Sequence, residues 1–201
     1  MKATYDIPFR NDSGEDIPAF AVLCPTGAVE ATGDWCLTVD KPGTTFAQRY
    51  YVNGPTVIPA GGFGMATDAS YPAPVKCESA TLTYGDGWGI ASGSWELKRW
   101  YAGGFVAQRS SGDGRGLFRQ LEVVEVLAVL DEDLEVEGTA TASVVGFEGS
   151  GTVHDTGANV EAYDGLLEAS QKLSSGATVV LSWLNGRWAA TAAKGCPATI
   201  V

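Results

Sequence analysis

Apolar positions along this chain recur in short alternating runs of about four to six residues, each closed by a cluster of Gly, Pro, Asn, Asp or Ser. Alternation with a period of two puts one side of the backbone in a core and the other in water, so the pattern predicts strands. Residues 5–23 read as strand, polar turn, strand, with Asn11, Asp12, Ser13 and Gly14 supplying the turn chemistry. Gly33-Asp34 then precedes a strand over 35–39, Asn53-Gly54-Pro55 breaks the strand at Tyr50-Tyr51-Val52, and Ala60-Gly61-Gly62 breaks Val57-Ile58-Pro59. Residues 81–106 repeat the theme, with the glycine-laced Gly85-Asp86-Gly87-Trp88-Gly89. Near the end, Asn185-Gly186 separates two β-prone runs; both central residues of a type I′ turn need positive φ, so this dipeptide predicts a tight hairpin.

The segment 109–116 contains Ser110-Ser111-Gly112-Asp113-Gly114-Arg115-Gly116, with three glycines and no apolar residue in that stretch, and reads as a flexible connector. It divides the chain into an N-terminal β-rich domain over 1–108 and a C-terminal β-rich domain over 117–201. In the second domain, 121–130 is a valine-rich apolar run that suits a hairpin strand or a helix, followed by the acidic Asp131-Glu132-Asp133. Val160, Tyr163, Leu166, Leu167 and Leu173 recur at three- to four-residue spacing after Asn159, a competent N-cap, and predict one short helix. The expected fold class is therefore mainly β: two small β-rich domains of barrel or sandwich type, with one short helix in the C-terminal half.

Composition narrows the function. The 26 glycines and 9 prolines in 201 residues agree with many turns. A net charge of −11, with only 13 scattered Lys and Arg, argues against sequence-independent nucleic-acid binding, which needs clustered basic residues facing phosphate. No apolar run approaches the roughly 20 residues that span a bilayer, and the start of the chain lacks the apolar centre of a signal peptide; the expectation is a soluble protein made in a cytoplasm, with no membrane partner. Cys24, Cys36, Cys77 and Cys196 have neither the spacing of a zinc site nor the density of a disulfide scaffold, and read as buried thiols.

Candidate chemistry is sparse. The single histidine, His154, is followed by Asp155 and flanked by Thr152 and Thr156, but neighbours on a strand point to opposite faces, and no nucleophile elbow precedes it. The run Asp131, Glu132, Asp133, Glu135, Glu137 lacks the spacing and glycine of a calcium loop and reads as a solvated turn that blocks edge pairing. Gly61-Gly62-Phe63-Gly64 and Gly85-Asp86-Gly87-Trp88-Gly89 lack the Lys-Ser/Thr ending of a phosphate loop. No catalytic residue, metal ligand or cofactor site is assigned, and the chain reads as a non-enzyme. Among the aromatics, Trp35, Trp95, Trp183 and Trp188 suit strand cores, whereas Trp88, Trp100 and Tyr101 are candidates for exposed rings that stack on sugars or anchor an interface.

The opening Ile7-Pro8-Phe9-Arg10-Asn11-Asp12-Ser13-Gly14-Glu15, with Ile17-Pro18-Ala19-Phe20-Ala21-Val22, resembles proteins encoded in structural gene clusters of tailed bacteriophages and prophages. Val52-Asn53-Gly54-Pro55, Ala60-Gly61-Gly62-Phe63-Gly64 and the stretch from Val153-His154-Asp155-Thr156 to Gly186-Arg187-Trp188 are similar to the same group. The resemblance implies a virion component without a catalytic residue. The corresponding expectation is a capsid decoration or head-fibre protein that contacts the major capsid protein and forms a homo-oligomer, a trimer by preference. The alternatives are a tail-associated adaptor contacting tail proteins, and a glycan-binding module for host-surface adhesion.

Overall fold

The computed structural model describes residues 4–31, 33–79, 81–110, 113–148, 152–165 and 172–194. It is all-β: among the described residues there is no helix. The chain divides into two compact units, one of Met1–Gly43 and Ala47–Glu122, the other of Thr44–Phe46 and Val123–Val201.

The first unit opens with a closed five-stranded barrel of β1 (Ile7–Asn11), β2 (Val22–Ala31), β3 (Asp34–Asp40), β4 (Tyr51–Asn53) and β5 (Phe63–Asp68), in the order β1-β3-β2-β4-β5. β1 runs parallel to β3 and antiparallel to β5, so the two strands read on either side of the polar turn in 5–23 do not pair with each other. The reason is Asn11, which is buried and takes hold of the turn that follows it. Its Oδ1 accepts from the Ser13 N–H at 3.0 Å and the Ser13 hydroxyl at 2.6 Å, while its Nδ2 donates to the carbonyls of Glu15, Ile58 and Pro59. The chain is thereby led to Ile17, which bridges Ile58, rather than folding straight back along β1. Phe9, Ile17, Ala21, Leu23, Val39, Ile58 and Ala66 fill the interior, and Gly64 lets β1 come close: a Cβ there would meet the Phe9 ring at 2.5 Å and Ile58 at 2.8 Å. Trp95 packs on this core and donates through Nε1 to Glu15 at 2.9 Å. Lys41, at 2.7 Å, is the larger cause, and with Trp95 it holds the Glu15 carboxyl below the usual carboxylate range.

The rest of this unit is a five-stranded sheet of β6 (Ala73–Lys76), β7 (Gly87–Gly89), β8 (Lys98–Arg99), β9 (Phe105–Ser110) and β10 (Arg115–Gln120), ordered β6-β10-β9-β7-β8. Here the structure corrects the domain boundary. Ser110 pairs with Gly116 across β9 and β10, so the described part of 109–116 is a hairpin inside the first unit, and the division falls between Glu122 and Val123. Gly114, at φ 74°, takes a positive φ in that stretch that suits a reversal. Gln120, buried, ties the sheet to the segment that leads into β4, accepting from the Tyr50 N–H and donating to the Gln48 carbonyl, and it also donates to the Gly103 carbonyl ahead of β9.

The second unit is another closed barrel. Its strands are β11 (Glu125–Leu130), β13 (Thr139–Phe147), β14 (Val153–Asp164), β16 (Thr178–Leu184) and β17 (Arg187–Lys194), ordered β11-β13-β14-β17-β16; the short β12 (Leu134–Glu135) and β15 (Lys172–Leu173) pair beside it. Numbered within the ring, the order is 1-2-3-5-4 with the third and fifth strands parallel, the arrangement of an OB-fold barrel. The first barrel has the same ring entered at another strand: from β4 it reads β4-β5-β1-β3-β2. In the second unit Thr45 also bridges Asn159, and Phe46 meets Trp188 edge to face at 6.3 Å.

The expected helix over 160–173 is not found where the structure describes the chain. Val160 and Tyr163 lie in β14 and Leu173 in β15, whereas Leu166 and Leu167 fall outside the described residues. In β14 Thr156, Ala158, Val160 and Ala162 are buried and the residues between them exposed, so the true period is two, carried largely by alanine. The run at 121–130 is strand from Glu125 onward. Asn185 and Gly186 have φ of 52° and 84°, as the expected two-residue turn requires.

Asn11 is a buried side chain that ties its own turn to residues 58–59, so Asn11→Ala should cost about 2 to 4 kcal/mol by removing its hydrogen bonds to Glu15, Ile58, Pro59 and Ser13 together. Urea unfolding followed by tryptophan fluorescence measures it, and a cost under about 0.5 kcal/mol would show that the turn holds itself.

Candidate functional site

The three aromatics proposed as an exposed cluster do not form one. Trp88, on β7, is only 1% exposed and packs edge to face on Phe118, with ring centroids 5.5 Å apart. A ring that closes the space between sheet strands is unreachable by a ligand, and this corrects its assignment as a binding residue. Trp100 and Tyr101 are half-buried just beyond β8. Trp100 has φ 66°, and the Arg99 guanidinium lies 4.7 Å from its ring centre while also reaching Asp86 at 2.9 Å. Lys98 sits 5.8 Å from the Tyr101 ring centre. Both rings are thus partly covered by the cations of their own strand. Of the tryptophans assigned to strand cores, Trp188 is buried, Trp95 is half-buried against the barrel core, and Trp35 is 69% exposed at the tip of β3.

His154, half-buried on β14, has Nε2 3.6 Å from Glu148, while Asp155 accepts from the Gly157 N–H at 2.8 Å. The acidic run braces its own loop. Asp131 accepts from the Ser143 hydroxyl and Glu132 from the Thr141 N–H. Asp133 takes Lys172 and the Ser175 N–H, and Lys172 first of all lowers its carboxyl below the usual range. Among the described residues no three His, Cys, Asp or Glu side chains converge to hold a metal. Cys24 is half-buried and Cys36 and Cys77 are buried as free thiols; burial is the main cause that raises the Cys24 and Cys77 thiols, making them poor nucleophiles. Cys196 lies outside the described residues.

What the structure does bring together are surfaces that the sequence pattern did not single out. On the outer face of the first barrel, Pro8 of β1 pairs with Met65 of β5, and Phe63 lies two residues along; Phe63 is 59% and Met65 44% exposed. On the outer face of the neighbouring sheet, Pro74, Leu117 and Arg109 stand in one row across β6, β10 and β9. They border a groove of about 420 Å³ that Phe20 also lines, and Arg115 lies 4.7 Å above that ring. Phe20 is held at φ 61°, between hydrogen bonds of its N–H to Gly54 and its carbonyl from Lys76. In the second unit, a cleft of about 360 Å³ opens where the parallel strands β14 and β17 part, bordered by Glu137, Tyr163, Asp164, Leu184, Asn185 and Arg187. None of this was legible beforehand, because each surface is assembled from segments far apart in the chain. An outward Phe63 is indistinguishable from a core residue until its register is known.

No protein-family model, curated protein or solved structure matches this chain. What the fold and the sites define is a class: an all-β protein of two barrel-containing units that presents apolar and charged outer surfaces.

Since Trp88 is structural, Trp88→Ala should destabilise the first unit by about 3 to 5 kcal/mol. Thermal unfolding measures this, and a fully stable variant would place the ring at the surface.

Proposed function

We propose that this protein is a non-enzymatic structural component of a bacteriophage virion, decorating the capsid or forming part of a head fibre through protein–protein contacts. The observation that carries the reading is the exposed apolar row Pro8, Met65 and Phe63 on the outside of the first barrel. Large apolar side chains directed outward from a closed barrel add nothing to its core and lose free energy to water, so covering them by another protein is favourable. The resemblance of residues 7–22 to virion proteins falls on the same barrel, and its Ile7–Asn11 strand contributes Pro8 to the row. Attachment to a shell needs no chemistry. About 1,200 Å² of buried area makes a stable contact, and a symmetric oligomer, a trimer in this proposal, can work with less per subunit through avidity.

The first unit would meet the major capsid protein or, in the alternative version, a tail protein. Copy number separates the two, since a shell offers hundreds of equivalent positions and a tail only a few or a few tens.

The test uses particles purified from cells that carry the gene, with the protein quantified by mass spectrometry. Hundreds of copies per particle are expected, and Phe63→Asp with Met65→Asp should abolish incorporation while changing stability by no more than about 0.5 kcal/mol per substitution, as exposed positions allow. Absence from the particles, or undiminished incorporation of the double variant, would contradict the proposal; a few to a few tens of copies would replace the capsid by the tail.

A further inference from the structure

The cleft of the second unit has a chemical character that the particle reading does not use. Three polar residues border it from different segments: Glu137 from the loop before β13, Asn185 from the β16–β17 turn, and Arg187 from the start of β17. None of the three side chains has a hydrogen-bond or ion-pair partner among the described residues. Their placement is nevertheless defined. Arg187 lies over the Tyr163 ring with its central carbon 4.9 Å from the ring centre, and the Tyr163 hydroxyl donates to Glu161 at 2.7 Å. The Glu137 N–H donates to Asp164 at 3.0 Å, fixing the loop against the end of β14. Leu184 supplies an apolar wall.

We propose that this cleft binds a neutral saccharide unit of a polymeric glycan. Vicinal hydroxyls both donate and accept, so one sugar ring can use a carboxylate acceptor, a guanidinium donor and an amide that does either, while its C–H face lies on the apolar wall. The signs of the charges select for neutrality. An anionic sugar meets Glu137 and Asp164 in a unit whose sequence holds 11 Asp and Glu against 3 Lys and Arg. A cation meets Arg187. The same imbalance disfavours a nucleic-acid strand, whose phosphates would face these carboxylates. The glycan site therefore lies in the second unit and not at Trp88, Trp100 and Tyr101. The inference does not depend on where on a particle the protein is carried, or on whether it is carried at all.

The experiment is a glycan array probed with the full chain, containing neutral hexose and N-acetylhexosamine oligosaccharides beside uronic-acid and sialylated ones, followed by calorimetric titration of the strongest neutral oligosaccharide. Neutral oligosaccharides should bind, and Arg187→Ala and Glu137→Gln should each weaken that binding at least tenfold with an unchanged melting temperature. Trp100→Ala should leave the affinity within twofold. Asn185→Asp, which keeps a residue that tolerates positive φ, should also weaken it and so guards against a turn that fails to form in other variants. No binding on the array, binding confined to acidic glycans, or loss in Trp100→Ala but not in Arg187→Ala would each overturn the assignment.

Discussion

Closure of the strand rings is the constraint from which the rest of this structure follows. A strand edge left open exposes a row of N–H and C=O groups that must find partners elsewhere, and a barrel satisfies them internally. Both barrels here close through an antiparallel pairing of strands far apart in sequence, β1 with β5 and β11 with β16, and both contain one parallel pair. Five strands leave a narrow interior. The second barrel is accordingly lined by Ala128, Ala140, Ala142, Ala158, Ala162 and Ala190 among a few larger side chains. Its long strands curve by means of irregularities at Val144/Val145 and Val180/Leu181. At the first of these the Thr156 hydroxyl donates to the Val144 carbonyl at 2.7 Å and accepts from the Ala158 N–H at 3.2 Å, giving both backbone groups a partner at the break in the ladder.

Local signals were readable where the chain decides locally. The Asn185-Gly186 turn, the strand around Trp35 to Val39 and the mainly-β character follow from φ preferences and period-two runs. The errors arise where a distant partner decides. The residues after Asn11 have ordinary hairpin composition, but the Asn11 side chain reaches carbonyls at Ile58 and Pro59, and no local reading supplies those. Alanine hides the alternation of β14, because Ala158 and Ala162 weigh little as apolar markers while Val160 and Tyr163 stand out at helical spacing. The glycines near 112–116 look like a linker because a turn and a tether share one composition; only the pairing of Ser110 with Gly116 separates them. Trp88 sits among glycines that suggested an exposed loop, whereas the lack of a Cβ at Gly89 lets the Tyr101–Ala102 backbone come into contact beside it.

A ring that satisfies its own backbone leaves its outer side chains free to vary, and function on such a frame belongs to what the outside presents. Here the outside differs between units. The first carries the apolar row of β1 and β5 and a groove bordered by arginine, whereas the second is strongly acidic and carries a cleft of mixed charge. Under the two proposals, one surface serves attachment by burial and the other recognition by hydrogen bonding.

Closure carries the fold and releases the outer faces for contact. Native-state hydrogen exchange tests it most directly, strand by strand. The hydrogen-bonded amides of β1, β5, β11 and β16, which form the closing pairs, should exchange as slowly as those of β3 and β13 within the rings. Fast exchange along either closing pair, at the rate of exposed turns, would show an open sheet and contradict it.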